Sequence, residues 1–202
     1  MRIHNRKRID EKEMLSYAKG KEKSFTELLS PAREKGTKFL KLGDKLWMYL
    51  PSVEKVIQIS GHMLRKPMMG SDFSYEDMLE GSQKLTELYD CQLIGEGKFG
   101  EYDCYVLELT AIKRNVTYHR RKIWVVKDKF IAVKEELYAK SGMLMKELIV
   151  KKIEQFKGRY YPTHITMMNK LRKGTKTEVV LTDLNFDMEI EDMIFSKRNL
   201  RR

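Results

Sequence analysis

The chain is poor in the residues that most chemistry needs. Its 202 residues hold two cysteines and four histidines. No apolar run approaches the roughly 20 residues that a membrane-spanning helix requires. Cys91 and Cys104 have no histidines at ligand spacing, which argues against zinc. There is no G-x-S-x-G, and Ser60–Gly61–His62 lacks an evident acid partner, so no nucleophile and base are paired. Low-complexity tracts, shifts of composition and sharp internal repeats are also missing, and a single domain over residues 1–202 is expected. Met1 to Arg8 is basic, but no apolar stretch follows it, so no signal peptide is read. A cytoplasmic protein and an exported one whose leader has been trimmed both stay open on these grounds.

What is abundant is positive charge, at a formal net of +11. Solubility and nonspecific attraction to anions account for it in the simplest way, and nucleic acid or an anionic membrane surface are the sharper readings. The clusters at Arg2–Arg8 and Lys197–Arg202 are expected to be solvated ends. These and a third cluster, His119–Lys122, lack the aromatic interleaving of single-strand binders. The acids Glu76, Asp77 and Glu80 fall on one short helical segment, where a solvated face or a favourable charge at the helix start is expected. No enzyme, no metal and no cofactor are expected.

The patterning is that of strands. Asp10–Lys19 fits helix or strand, and Ser24–Leu29 is a short amphipathic piece stopped by Pro31. Phe39–Leu42 and Lys45–Leu50 flank a Gly43–Asp44 turn, and Val53–Ile59 gives a third strand after Pro51. Ser74 can cap a helix over Tyr75–Glu80, with Asp77 as its reciprocal acid. Further strands are expected at Leu85–Ile94, Tyr102–Ala111, Val116–His119, Lys122–Val126, Phe130–Ala139, Met143–Phe156, Tyr160–Asn169 and Thr175–Phe186, then a short helix at Met188–Ile194. Sequential strands with short connections imply an antiparallel meander. Closing or nearly closing such a meander protects its edges and leaves room inside for a ligand.

Gly95–Glu96–Gly97–Lys98–Phe99–Gly100 matches G-x-G-x-x-G, and Ala111–Ile112–Lys113 follows like the lysine strand of a protein kinase. The remaining kinase elements are missing. His119–Arg120–Arg121 lacks the catalytic aspartate, Asp72–Phe73–Ser74 lies upstream, and too few residues follow Lys113 for a large lobe. A dinucleotide site fails too, because a strand follows the glycines where a helix N-terminus is needed. A glycine-bearing hairpin turn remains. A tight turn at Phe99–Gly100 would set Cys91 opposite Glu108 and Cys104 opposite Gly95, whereas a longer loop would bring the cysteines face to face. Free thiols are the expectation.

The most informative stretch is Lys35–Gly81, where strand-like runs adjoin a loop rich in methionine. Exposed apolar area costs about 25 cal/mol per Å². Met63, Leu64, Met68, Met69 and Phe73 in a loop therefore mark either a lid folded on the sheet or an adaptable wall of an apolar pocket. Phe39 to Ile59 is read as wall and Met63 to Leu79 as lid, with Met63–Met69 as the part that moves between Gly61 and Gly70. Candidate ligand-binding residues are Leu46, Trp47, Met48, Tyr49, Leu50, Met63, Leu64, Met68, Met69, Phe73, Met78, Leu79 and Trp124. Leu46/Met48/Leu50 and Trp47/Tyr49 point to opposite faces, and both sets are kept.

The words GTKFL, DKLWMYLPSVEKVIQISG and MMGSDFSYEDM resemble the bacterial outer-membrane lipoprotein-sorting protein family, a LolA-like relative of the periplasmic lipoprotein carrier. Cys104–Leu109, Tyr118, Lys122–Val125, Phe195–Ser196 and Leu200 fit the same pattern. The resemblance implies a mainly β protein with a few helices: an unclosed antiparallel β-barrel, or half-barrel, with helices and loops covering its concave face. It further implies a periplasmic carrier for lipid or lipoprotein acyl chains, with an inner-membrane transporter and an outer-membrane acceptor as partners, peripheral membrane contact, no nucleic acid, and a leader already removed. The rival readings are a basic nucleic-acid-binding module and an envelope-transporter accessory subunit without its own cargo.

Overall fold

The computed structural model describes the chain apart from Lys7, residues 81–84, Asn115, Arg202 and the side chain of Glu80. Gly81 of the Met-rich stretch, Lys7 and Arg202 of the basic ends, and the Glu80 carboxylate thus lie outside the described residues. The contacts of the chain fall into two compact units. The first holds Met1–Arg2, Ile9–Gln83 and Leu184–Arg202, and the second holds Ile3–Arg8 and Lys84–Asp183.

The fold is mainly β, in an open antiparallel arrangement, as the sequence implies. In the first unit, β3 (Glu13–Lys19), β4 (Lys23–Ser30), β5 (Lys38–Leu42), β6 (Lys45–Leu50) and β7 (Lys55–Ile59) form an antiparallel meander. The ambiguous N-terminal segment is therefore strand. The Gly43–Asp44 hairpin forms as expected, with Leu42 opposite Lys45. Val53 does not join β7, because Pro51–Val53 makes a 3-10 turn and Glu54 takes a left-handed backbone before the strand begins.

A second sheet has nine strands in the order β2-β1-β14-β13-β12-β11-β10-β9-β8, and it does not close among the described residues. Its strands are β1 (Arg2–Asn5), β2 (Arg8–Glu11), β8 (Tyr89–Phe99), β9 (Tyr102–Ala111), β10 (Arg120–Val126), β11 (Ala132–Tyr138), β12 (Leu144–Phe156), β13 (Arg159–Asn169) and β14 (Lys176–Val180). Several expected bounds shift. Leu85–Leu88 is a helical turn (α2) ahead of β8, Val116–His119 is irregular, and β14 stops at Val180, far short of Phe186. The short C-terminal helix shrinks to 3-10 turns at Asp192–Phe195 and Asn199–Arg201.

The glycine-rich motif is a hairpin. Its turn lies at Gly100–Glu101 and a bulge follows Leu93, which sets Cys91 opposite Leu109 and Cys104 opposite Gly97. Both thiols are free. The basic ends are not solvated tails. Arg2–Asn5 is a strand beside β14, while Leu200 is fully buried near the C-terminus. In the second unit, Lys176 Nζ and His4 Nε2 reach Glu178 at 2.8 and 2.9 Å.

No helix of the described residues is long and apolar enough to cross a membrane.

Two outcomes follow. Leu46 is completely buried, so Leu46→Ala is expected to cost about 2–5 kcal/mol, measured as a lower urea midpoint at unchanged m-value. The second concerns acid. The Lys176 hydrogen bond, with a further one from His4, holds the Glu178 carboxyl down to about 2 from an ordinary 4.5, against the opposing effect of burial. A depressed carboxyl stabilises the fold above its unfolded pKa and loses that contribution as pH falls toward its folded one. Glu178→Gln should therefore lower the thermal midpoint at neutral pH and flatten its fall between pH 4.5 and 2.

Candidate functional site

Strand β6 reads Lys-Leu-Trp-Met-Tyr-Leu, apolar at every position after its first. Because successive side chains alternate between faces, such a strand makes both faces of the first unit's sheet apolar. One face carries Leu28, Phe39, Leu46, Met48 and Ile59, with Met14, Leu50 and Ile57 at its margins. The other carries Phe25, Leu40 and Trp47, with Tyr17, Leu42, Tyr49 and Val56. Each face has its own cover.

The first face is covered by residues 61–80. Met63, Leu64, Met69, Tyr75, Met78 and the buried Leu79 pack on it. The segment read as a lid packs on the sheet: its Met-rich part makes 3-10 turns (Gly61–Arg65 and Met68–Gly70) where a loop is expected, and helix α1 (Tyr75–Glu80) follows as expected. Its middle is tied by short-range bonds. Met68 N–H donates to the Phe73 carbonyl at 2.8 Å, and Tyr75 N–H to the Lys66 carbonyl at 3.2 Å. Ser74 caps α1 as expected: its N–H donates to Asp77 Oδ2 at 2.6 Å and its Oγ accepts from the Asp77 N–H at 3.4 Å. The Tyr75 hydroxyl donates to Met48 Sδ at 3.8 Å, and burial pushes its pKa up. Gly61 and Gly70 bracket the Met-rich part with positive φ (55° and 79°), a conformation that glycine takes at no steric cost, and open space lies where a Cβ would stand.

The opposite face is covered by the C-terminal segment, whose Phe195 and Leu200 are buried against Phe25, Leu40 and Trp47. Lys197 places its ammonium 4.3 Å from the centre of the Trp47 ring. Asp192 accepts from Lys23 and Lys19, both at 3.1 Å, and these bonds hold its carboxyl below the ordinary range.

The structure therefore divides the candidate residues. Leu46, Met48, Leu50, Met63, Leu64, Met69, Met78 and Leu79 come together under the lid. Met68 is buried within the lid, and Phe73 supplies its carbonyl to the lid's own hydrogen bonds. Trp47 and Tyr49 lie beneath the C-terminal segment. Trp124 belongs to the second unit, beside a cluster of Cys104, Val126, Val133 and Val150, with the Lys134 and Lys122 ammoniums 4.4 and 5.0 Å from its ring.

One residue was not anticipated. Lys41 sits opposite Leu46 on β6 and opposite Ser24 on β4, which places it on the lid-covered face, two residues from Phe39. It is only 6% exposed. Burial pushes its ammonium below the usual lysine range, with Glu22 pulling weakly the other way. The alternation in Lys-Phe-Leu-Lys-Leu carried this signal. Among the described residues no group of three or more His, Cys, Asp or Glu could hold a metal ion.

A mainly β protein with a capped, Met-lined lid over one sheet face has close counterparts. A candidate outer membrane lipoprotein-sorting protein domain from Vibrio parahaemolyticus is 28% identical over 100% of this chain and 89% of its own, with a TM-score of 0.87. A DUF1329 family protein from Desulfovibrio piger is 28% identical over 98% and 88%, at 0.90. A LolA superfamily protein from Nitrosomonas europaea is 29% identical over 98% and 88%, at 0.78. No curated protein matches the sequence. A family model described as "Uncharacterized protein" matches residues 20–202. The chain belongs to that family, and its structural neighbours set it among the LolA-like, lipoprotein-sorting proteins.

Because the capping box closes the lid's helix, Ser74→Ala is expected to weaken it by about 1 kcal/mol. The result should be faster amide hydrogen exchange across residues 61–80, with residues 184–202 unchanged.

Proposed function

We propose that the protein is a periplasmic carrier that holds lipid or lipoprotein acyl chains and takes part in outer-membrane lipoprotein or lipid sorting. The observation that carries this reading is the lid-covered sheet face, lined by Leu46, Met48, Leu50, Met63, Leu64, Met69, Met78 and Leu79. Burying an acyl chain is worth about 0.8 kcal/mol per CH₂, so displacing the lid and seating a chain in its place needs no covalent chemistry. Methionine suits such a wall, since its unbranched thioether repacks around chains of different shape. Names given to the neighbours, lipoprotein sorting and LolA superfamily, support the same class and compartment.

On this reading residues 1–202 work as one carrier domain without catalytic activity. Trp47 and Tyr49 hold the C-terminal cover in place, and Trp124 serves the second unit's own packing. Loading and delivery involve an inner-membrane transporter and an outer-membrane acceptor. A nucleic-acid role gains no support from the basic clusters, because Lys197 is engaged with Trp47 and Arg2–Asn5 with a sheet. The test is native mass spectrometry with lipid extraction on protein purified from its own host. A bound lipid at near-stoichiometric level is expected, whereas lipid-free protein that also takes up no added fatty acid or phospholipid would sink the proposal.

A further inference from the structure

The lid-covered face is graded in polarity. Toward β7 it is wholly apolar, through Phe39, Met48, Ile57 and Ile59. At the end of β4 and β3 beside the Gly43–Asp44 turn it becomes polar, whereas Leu28 and Met14 keep the other end of those strands apolar. Thr26 stands opposite Phe39 and Ser24 opposite Lys41, and the next strand adds Ser16 and Ala18. The Ser16 and Thr26 hydroxyls are hydrogen-bonded at 2.9 Å, and Ser16 and Ala18 are exposed, so this corner meets solvent.

Lys41 lies where the two halves of the face join, opposite the fully buried Leu46. Among the described residues its ammonium has no ion pair within 4.0 Å and no hydrogen bond, and Glu22 acts on it only from farther off, through its charge. The other buried lysines of this unit are matched: Lys12 pairs with Glu34, and Lys38 lies 4.0 Å from Glu27. The Lys41 side chain is buried along its stem while its ammonium keeps contact with solvent, so an anion seated at this corner can reach it. A lysine held this way between an apolar surface and a hydroxyl-bearing corner is a site that a ligand's negative charge completes.

We infer that the cargo is an acyl amphiphile with a single anionic head, a carboxylate or a phosphate, whose chain lies along Phe39 and Met48 and whose head is bound by Lys41. The inference rests on the carrier reading and adds to it a class of cargo. Ser24 and Thr26 supply hydroxyl donors beside the head.

The experiment measures binding of oleate, oleyl phosphate and the neutral oleyl alcohol to the full chain, as wild type, Lys41→Met and Lys41→Arg. A charge-assisted bond predicts that wild type holds an anionic amphiphile about ten- to a hundredfold more tightly than the alcohol. Lys41→Met should lose that preference while keeping its affinity for the alcohol, and Lys41→Arg should retain it. Tighter oleate marks a fatty-acid-type head and tighter oleyl phosphate a phospholipid-type head, and each supports the inference. Equal binding of acid and alcohol by wild type overturns it whether or not Lys41→Met folds, as does a preference that survives in that variant. Failure of wild type to bind any of the three overturns the carrier reading itself, a separate result from loss of head-group preference.

Discussion

A sheet that is apolar on both faces has to be covered twice, and this requirement organises the first unit. It originates in β6, where Leu46, Trp47, Met48, Tyr49 and Leu50 leave neither face polar. Fully burying one such side chain is worth about 1.5–3 kcal/mol, so an uncovered face would be both unstable and prone to association. The lid of residues 61–80 and the C-terminal segment meet the demand from opposite sides.

The two covers differ in kind. The C-terminal one is held by large, well-shaped side chains, Phe195 and Leu200, and by Lys197 over Trp47. Its ion pairs, Asp192 with Lys19 and Lys23, are exposed and add little. The lid instead consists of 3-10 turns between unhindered glycines and presents methionines, which lose their exact fit at small cost. Local opening draws on the least costly contacts. A face that must release something is best closed by the lid, and one that must stay shut by Phe195 and Leu200.

Much of this was legible in the sequence because it depends on local rules. The Gly43–Asp44 hairpin, the Ser74 cap and the strand Tyr102–Ala111 all follow from turn chemistry, capping and alternation, and all form. The segments that differ answer to long-range partners. Arg2–Asn5 looks like a basic tail and becomes a strand because β14, far along the chain, offers an edge. The hairpin register at Cys91 differs because the turn falls one residue later, at Gly100–Glu101, and a bulge after Leu93 takes back part of that shift, neither of which residue types reveal. Within the site, sequence named the lid and its sheet, but could not choose between Met48 and Trp47 as the open face. That choice depends on which distant segment folds over which side. Trp124 was grouped by residue type alone, and its ring has the ammoniums of Lys134 and Lys122 at 4.4 and 5.0 Å.

The central claim is that the lid-covered face receives the acyl chain while the opposite face stays closed. A photoreactive fatty acid, cross-linked to the full chain and mapped by mass spectrometry, tests it directly. Labelling at Met48, Met63, Leu64, Met69 and Met78 is the predicted result. Labelling at Trp47, Tyr49, Ile190 and Ile194 instead would contradict the account.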